Sequence, residues 1–206
     1  MAARKDRAKR VYDPEGTRHR ILSVASDRFQ KAGYHATSMH DIMQLAGVPG
    51  GSVYYHFPTK KSLGLAVIRE AVAQSIAETW IAPLRTCKSA KAGVMKAFES
   101  VADQIERDGR GVIGCPLNNL TIELSLADRD FQAALRDVFD SWTSAIAMRI
   151  REDIRSGNVR GIEPAETAVA VVASFSGAMA LAKAVQNARP IRTCARKIGL
   201  LFAPRP

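Results

Sequence analysis

The chain has 206 residues, 47 % hydrophobic and 24 % charged, with a formal net charge of +10 at pH 7. That balance excludes a disordered chain, provides enough apolar material for a proper core, and admits an acidic partner such as nucleic acid. The excess charge is uneven: residues 1–63 carry 11 Lys+Arg against 5 Asp+Glu, while residues 64–206 carry 19 against 15. Many soluble proteins are basic, so charge alone does not decide the matter. No apolar stretch follows the basic residues at 1–10, so no secretory signal is expected. The most apolar run, Ala168 to Ala182, is 15 residues without a charge and falls short of a membrane span. Cys87, Cys115 and Cys194 are an odd number without metal-ligand spacing, which points to reduced thiols, a cytoplasmic protein, and no metal or other cofactor.

Residues 1–13 hold Arg4, Lys5, Arg7, Lys9 and Arg10 against Asp6 and, at the end, Asp13. Such a segment is either a solvated tail or a basic arm reaching DNA phosphates. Helix signals follow at once. Asp13 can cap a helix from Pro14 to about Ala32, with Ile21, Leu22, Ala25, Phe29 and Ala32 as its buried stripe and Gly33 as its stop. A second helix starts at Thr37 or Ser38, with Asp41 completing a capping-box-like pattern and Ile42, Leu45 and Ala46 facing inward. Gly47 supplies the left-handed turn residue, and Val48 plugs the space between helices. Pro49, Gly50 and Gly51 open a third helix ending near His56, with Val53 and Phe57 inward. Two short helices around a tight turn, bearing hydroxyl, aromatic and basic groups, make a helix-turn-helix DNA reader.

From Thr59 onward the chain reads as helix. One helix runs from the Thr59 cap to about Trp80, with Pro83 as a breaker; the next spans about Ala90 to Arg107. Gly109 to Gly114 is a glycine-rich break. Further helices run from Pro116 to about Leu126, from Asp128 past Ile150, from Pro164 to about Ala188 and from Ile191 to Phe202. The fold expected is all-α: a basic arm at 1–13, a helix-turn-helix domain at 14–60, and a helical ligand-binding and dimerisation domain at 61–206.

The run T-S-M-H-D-I-M-Q-L-A-G-V-P-G-G-S-V-Y-Y-H-F-P-T-K-K-S-L resembles the DNA-binding signature of the TetR family of transcriptional repressors. The likeness covers about residues 14–65. G-C-P-L-N-N-L-T-I-E-L-S at 114–125 is similar to a subgroup whose members often sense small reactive or unsaturated compounds. The resemblance implies a homodimer that binds a pseudo-palindromic double-stranded operator and is released by a small-molecule inducer, with no membrane association. It also implies DNA contacts from Ser38, His40, Ser52, Tyr54, Tyr55, His56 and Lys60, around the front of the third helix at Gly50 and Gly51. Related proteins often carry a basic or polar side chain where Gly50 stands, so direct base readout by that helix is expected to be thin and DNA shape to matter more.

Two features of the body invite function. Ala170, Ser174, Ala178 and Ala182 recur every four residues, a stripe of small side chains that suits a dimer interface or an ordinary core helix. Cys115 precedes Pro116 at a helix start, where dipole and free amides favour a thiolate. Asn119 and Glu123 follow on the same helical face, and Cys115, Asn119 and Trp142 are the ligand-contact candidates; a packed capping residue is the plainer reading of Cys115. Trp80, Phe98 and Phe139 are further aromatic groups for a cavity wall or for plain core. A cysteine enzyme is disfavoured because His19, His35, His40 and His56 all lie in the head. Non-specific DNA compaction is the remaining rival.

Overall fold

The computed structural model describes residues 13–202, so the expected basic arm lies outside the described residues apart from Asp13. Nine helices follow one another, and no strand occurs among the described residues. The head comprises α1 (Pro14–Ala32), α2 (Met39–Ala46) and α3 (Gly50–His56). Asp13 caps α1 by accepting the Gly16 N–H at 2.9 Å. Ser38 and Asp41 complete a reciprocal capping box on α2, and Gly47 turns the chain at φ 62°. Ile21, Ala25, Phe29, Ile42, Ala46, Val53 and Phe57 close the head's core. Two expected inward residues point out. Ala32 is exposed at the end of α1, and Leu45 is 57 % exposed. The eight-residue α2 is anchored by Ile42 and Ala46, and Leu45 lies about 100° around the helix from Ala46.

Helix α4 runs from Lys60 without interruption to Thr86, with two π-wound stretches, Val67–Val72 and Ala77–Ile81. Thr59 caps it through a second reciprocal box with Ser62. Pro83 does not break this helix. It falls just after the second π stretch, where the hydrogen-bond register changes, and its missing N–H leaves the winding intact. Gly64 is needed in α4 because a Cβ there would stand 2.7 Å from Cε2 of Tyr34 and 3.0 Å from Cε1 of Phe131. Tyr34 thus joins head to body, edge-on to Phe29 at 5.1 Å and to Phe131 at 5.2 Å.

The body continues with α5 (Ala90–Asp108), α6 (Pro116–Leu124), α7 (Arg129–Arg155), α8 (Pro164–Val185) and α9 (Arg189–Leu201). Helix α6 ends two residues before its expected limit and α8 three before. Gln186 stops α8 in the left-handed region at φ 56°, a conformation stabilised by its own side chain, described below. Helix α8 packs against α7 and α9, and α9 against α5. By length and composition α8 could cross a membrane, with a mean hydropathy of 1.8, but its inner side is core here. The centre is aromatic: Trp80 lies 4.7 Å from Trp142, 5.3 Å from Phe98 and 4.6 Å from Phe175 between ring centroids. Trp142, expected to contact ligand, is fully enclosed in this cluster, and its indole N–H finds no hydrogen-bond partner. It belongs to the core, because Phe139, Trp80 and Phe175 pack around it.

The small-residue stripe on α8 also turns inward. Ala178 and Ala182 are 1 % and 0 % exposed within one protomer, and Ala170 and Ser174 are half-buried. Their small size brings α8 close to its own neighbours, so Ala178 and Ala182 are not surface an interface could use. One residue back, Val169, Ala173, Gly177, Leu181 and Val185 also recur every four positions, and all five are exposed.

Candidate nucleic-acid interface and ligand cavity

In α3, Val53 and Phe57 occupy the inward positions, which leaves Tyr54 and Tyr55 outward at 49 % and 74 % exposure. Across the turn, His40 and Gln44 lie exposed on α2, their Nε2 atoms 2.9 Å apart. Gln44 is a member of this surface that motif reasoning passed over; its i,i+4 relation to His40 on the polar face of α2 was the available signal. Gly51 opens onto free space, whereas a Cβ at Gly50 would stand 3.1 Å from Met43 Sδ. Gly50 therefore lets the start of α3 settle against α2, and Gly51 leaves the front of α3 bare. Ser52 is half-buried beside them.

Three other expected DNA contacts are bonded or enclosed within the protein. The Ser38 hydroxyl donates to Asp41 Oδ2 at 2.7 Å and accepts the Asp41 N–H at 3.1 Å, so its hydrogen-bonding serves the cap. The Ser38 N–H also donates to Asp41 Oδ2 at 2.8 Å, and this bond with that of the hydroxyl holds the Asp41 carboxyl below the usual carboxylate range. His56 is half-buried, with Nε2 enclosed and unpartnered. Lys60 folds back: its Nζ lies 4.4 Å over the Tyr34 ring and donates to the His35 carbonyl at 3.2 Å. Burial lowers the Lys60 pKa, and the nearby carboxylates of Glu123 and Asp41 oppose the shift. The outward surface thus reduces to His40, Gln44, Tyr54 and Tyr55 around two glycines, with Ser52 at its edge.

Two hollows flank α1 and α4. An open trough of about 950 Å³ between α1, α4 and α7 has charged walls, including Asp27, Arg69, Glu70 and Asp137. A cavity of about 410 Å³ has an apolar floor, with Trp80, Phe175, Met179, Val101, Ile105 and Cys115, and a polar rim that includes Asp27, Lys31, Gln104, Asp108 and Arg110. The smaller one sets an aromatic and apolar floor against polar groups at its rim, which suits a small molecule with both apolar and polar parts. The strap of residues 110–115 forms one wall.

Cys115 lines this cavity but is no thiolate. It is 5 % exposed, and burial pushes the thiol up against a smaller downward pull from the Asn118 and Leu117 amides. Desolvation thus outweighs the helix start that favoured ionisation. Asn119 does not line the cavity. Its Nδ2 donates to the Ile113 carbonyl at 3.0 Å and holds the strap. In native protein at pH 7.5, iodoacetamide is expected to modify half-buried Cys87 and Cys194 first, and Cys115 at least about tenfold more slowly. Mass spectrometry showing Cys115 labelled at their rate would restore it as an accessible thiol.

Comparison with known proteins agrees with both halves of this geometry. Residues 21–67 match the family model described as bacterial regulatory proteins, tetR family. Residues 90–197 match the model of the transcriptional regulator LmrA/YxaF-like C-terminal domain. The chain is 26 % identical to the HTH-type transcriptional regulator LmrA of Bacillus subtilis (strain 168), over 85 % of this chain and 90 % of that one. It is 25 % identical to the HTH-type transcriptional repressor DhaR of Mycobacterium sp. (strain GP1), over 84 % and 86 % respectively. Among solved structures, a TetR regulatory protein from Rhodobacter sphaeroides superposes with a TM-score of 0.81 at 26 % identity, covering 91 % of this chain and 99 % of that one.

Proposed function

The chain belongs to the TetR family of bacterial regulatory proteins, DNA-binding transcriptional regulators rather than enzymes, and from that premise we propose how this member works. It is a cytoplasmic repressor that binds a pseudo-palindromic operator as a two-fold dimer and leaves it when a small molecule fills the 410 Å³ cavity. The observation that carries the DNA reading is the outward pair Tyr54 and Tyr55 on a helix whose other anchors are buried. A phenol can meet a phosphate, and its ring can meet a thymine methyl or sugar. With Gly50 and Gly51 at the front of α3, His40 and Gln44 of α2 share the base-edge work with DNA shape.

The exposed stripe Val169, Ala173, Gly177, Leu181 and Val185 on α8, with Leu200 and Leu201 of α9, supports a helix-on-helix interface between two copies. Ligand entry beside Trp80 would shift α4, which carries the head, and so change the spacing of the two recognition helices. Fluorescence anisotropy on DNA from upstream of the protein's own gene tests the reading. We expect sequence-specific, salt-dependent binding that Tyr55→Ala and His40→Ala each weaken about tenfold, a loss within the ~1–3 kcal/mol typical of a lost site contact. Equal affinity for scrambled DNA would end this reading in favour of non-specific binding.

A further inference from the structure

The body grips the head at a further place besides α4 and the Tyr34–Phe131 ring contact. Glu123, on the last turn of α6, accepts the Tyr34 N–H at 2.8 Å and the His35 N–H at 2.6 Å. These are backbone donors of the turn between α1 and α2, where no helix satisfies them. Gly33 makes the approach possible: at φ +91° a Cβ would be strained and would stand 3.2 Å from both Glu123 carboxylate oxygens. On its other side the same turn is held by the bond from Lys60 to the His35 carbonyl. The opposite end of α6 belongs to the cavity wall, through Cys115 and Pro116. The strap leading into it is pinned by three amide side chains. Gln186 both accepts from the Val112 N–H and donates to the Val112 carbonyl, at 2.9 and 3.2 Å. Asn119 donates to the Ile113 carbonyl, and Gln30 of α1 to the Gly114 carbonyl at 3.1 Å.

We propose that Glu123 is the positioning residue through which α6 transmits the state of the cavity wall to the turn that aims α2 and α3. This rests on the ligand-responsive reading above and adds to it a route that bypasses α4. A rigid two-turn helix with one end in the wall and the other bonded to two consecutive backbone amides moves both ends together. A carboxylate bonded to two N–H groups also fixes the direction of the turn, which a single contact would not.

The test uses the full chain and needs no identified ligand. Amide hydrogen exchange is followed by mass spectrometry in wild type, Glu123→Ala, Asn119→Ala and the double variant. Asn119→Ala frees the strap at Ile113 without touching the head. The expected result is that it speeds exchange at residues 34–36 as well as in the strap. Glu123→Ala alone should speed the turn by about tenfold or more, and Asn119→Ala should then add nothing there. Glu123→Gln, which keeps one acceptor oxygen, should fall between. In the DNA assay Glu123→Ala should lower affinity about five- to tenfold, the low end of known couplings between sites. The proposal is overturned if the turn exchanges in Glu123→Ala as in wild type, or if the effect of Asn119→Ala stays within the strap. Absence of specific DNA binding by the wild type would instead remove the repressor reading, while the exchange data still decide the coupling. Circular dichroism on each variant separates loss of the clasp from loss of the fold.

Discussion

Asp153→Ala should cost about 3–5 kcal/mol of folding stability, the range seen when one member of a buried pair is removed. Asp153 is fully buried on α7. Its carboxylate accepts the Ala90 N–H at 2.6 Å and the Arg149 Nη1–H at 2.6 Å. Arg149 in turn donates to the Leu84 carbonyl at 3.0 Å and the Cys87 carbonyl at 3.3 Å. One ion pair thus ties the end of α4, the start of α5 and the last two turns of α7 at the far end of the helix that carries the head. Alanine leaves the Ala90 donor without a partner in the interior and the guanidinium with only the exposed Glu152 carboxylate, 3.4 Å away, as counter-charge. Asp153→Asn keeps an acceptor for Ala90 and should lose roughly half as much. Urea unfolding reads both: the midpoint should fall while the slope stays constant. A loss under about 1 kcal/mol for the alanine variant would mean that the three helices hold without the pair.

Leu181→Glu should leave the protomer folded, separate the dimer and weaken operator binding by about a hundredfold or more, because two linked half-site contacts become two independent ones. Leu181 is 58 % exposed, so a carboxylate there meets water in the free protomer and a desolvated apolar stripe in the assembly. Ala178→Glu, three residues away but fully buried, should instead unfold the body. Sedimentation velocity and circular dichroism distinguish the two results. A dimeric Leu181→Glu with wild-type DNA affinity would move the interface off this face of α8.

Local chemistry carried most of the head. Asp13, Ser38, Gly47 and Thr59 act within three or four residues of themselves, and each caps or turns where its type and spacing indicate. The helix-turn-helix was legible for the same reason, and with Val53 and Phe57 filling the inward positions at least one of Tyr54 and Tyr55 had to face out; the fold turns both outward. Lys60 and Ser38 mark the limit of that reading. Both are polar residues at a DNA-facing motif, yet their partners, the Tyr34 ring, the His35 carbonyl and Asp41, engage them internally.

The body shows what pattern alone could not resolve. Helix α8 is apolar nearly all round, so its periodicity holds no information about which face meets the core. Packing between α7 and α9 chose Ala178 and Ala182 for the inside and left Val169 and Leu181 outside. The helix start at Cys115 left a thiolate and a packed residue both open, and enclosure of the sulfur decided for the packed thiol. Sequence spacing placed Glu123 only on the helical face of Cys115 and Asn119, and it reaches the head across 88 residues of sequence. Fold class, helix order, caps and the DNA-reading motif follow from interactions between near neighbours, which sequence spacing encodes. Which face is buried, which charge is desolvated and which distant amide a carboxylate finds depend on helices brought together by the whole fold, and tertiary structure alone decided them.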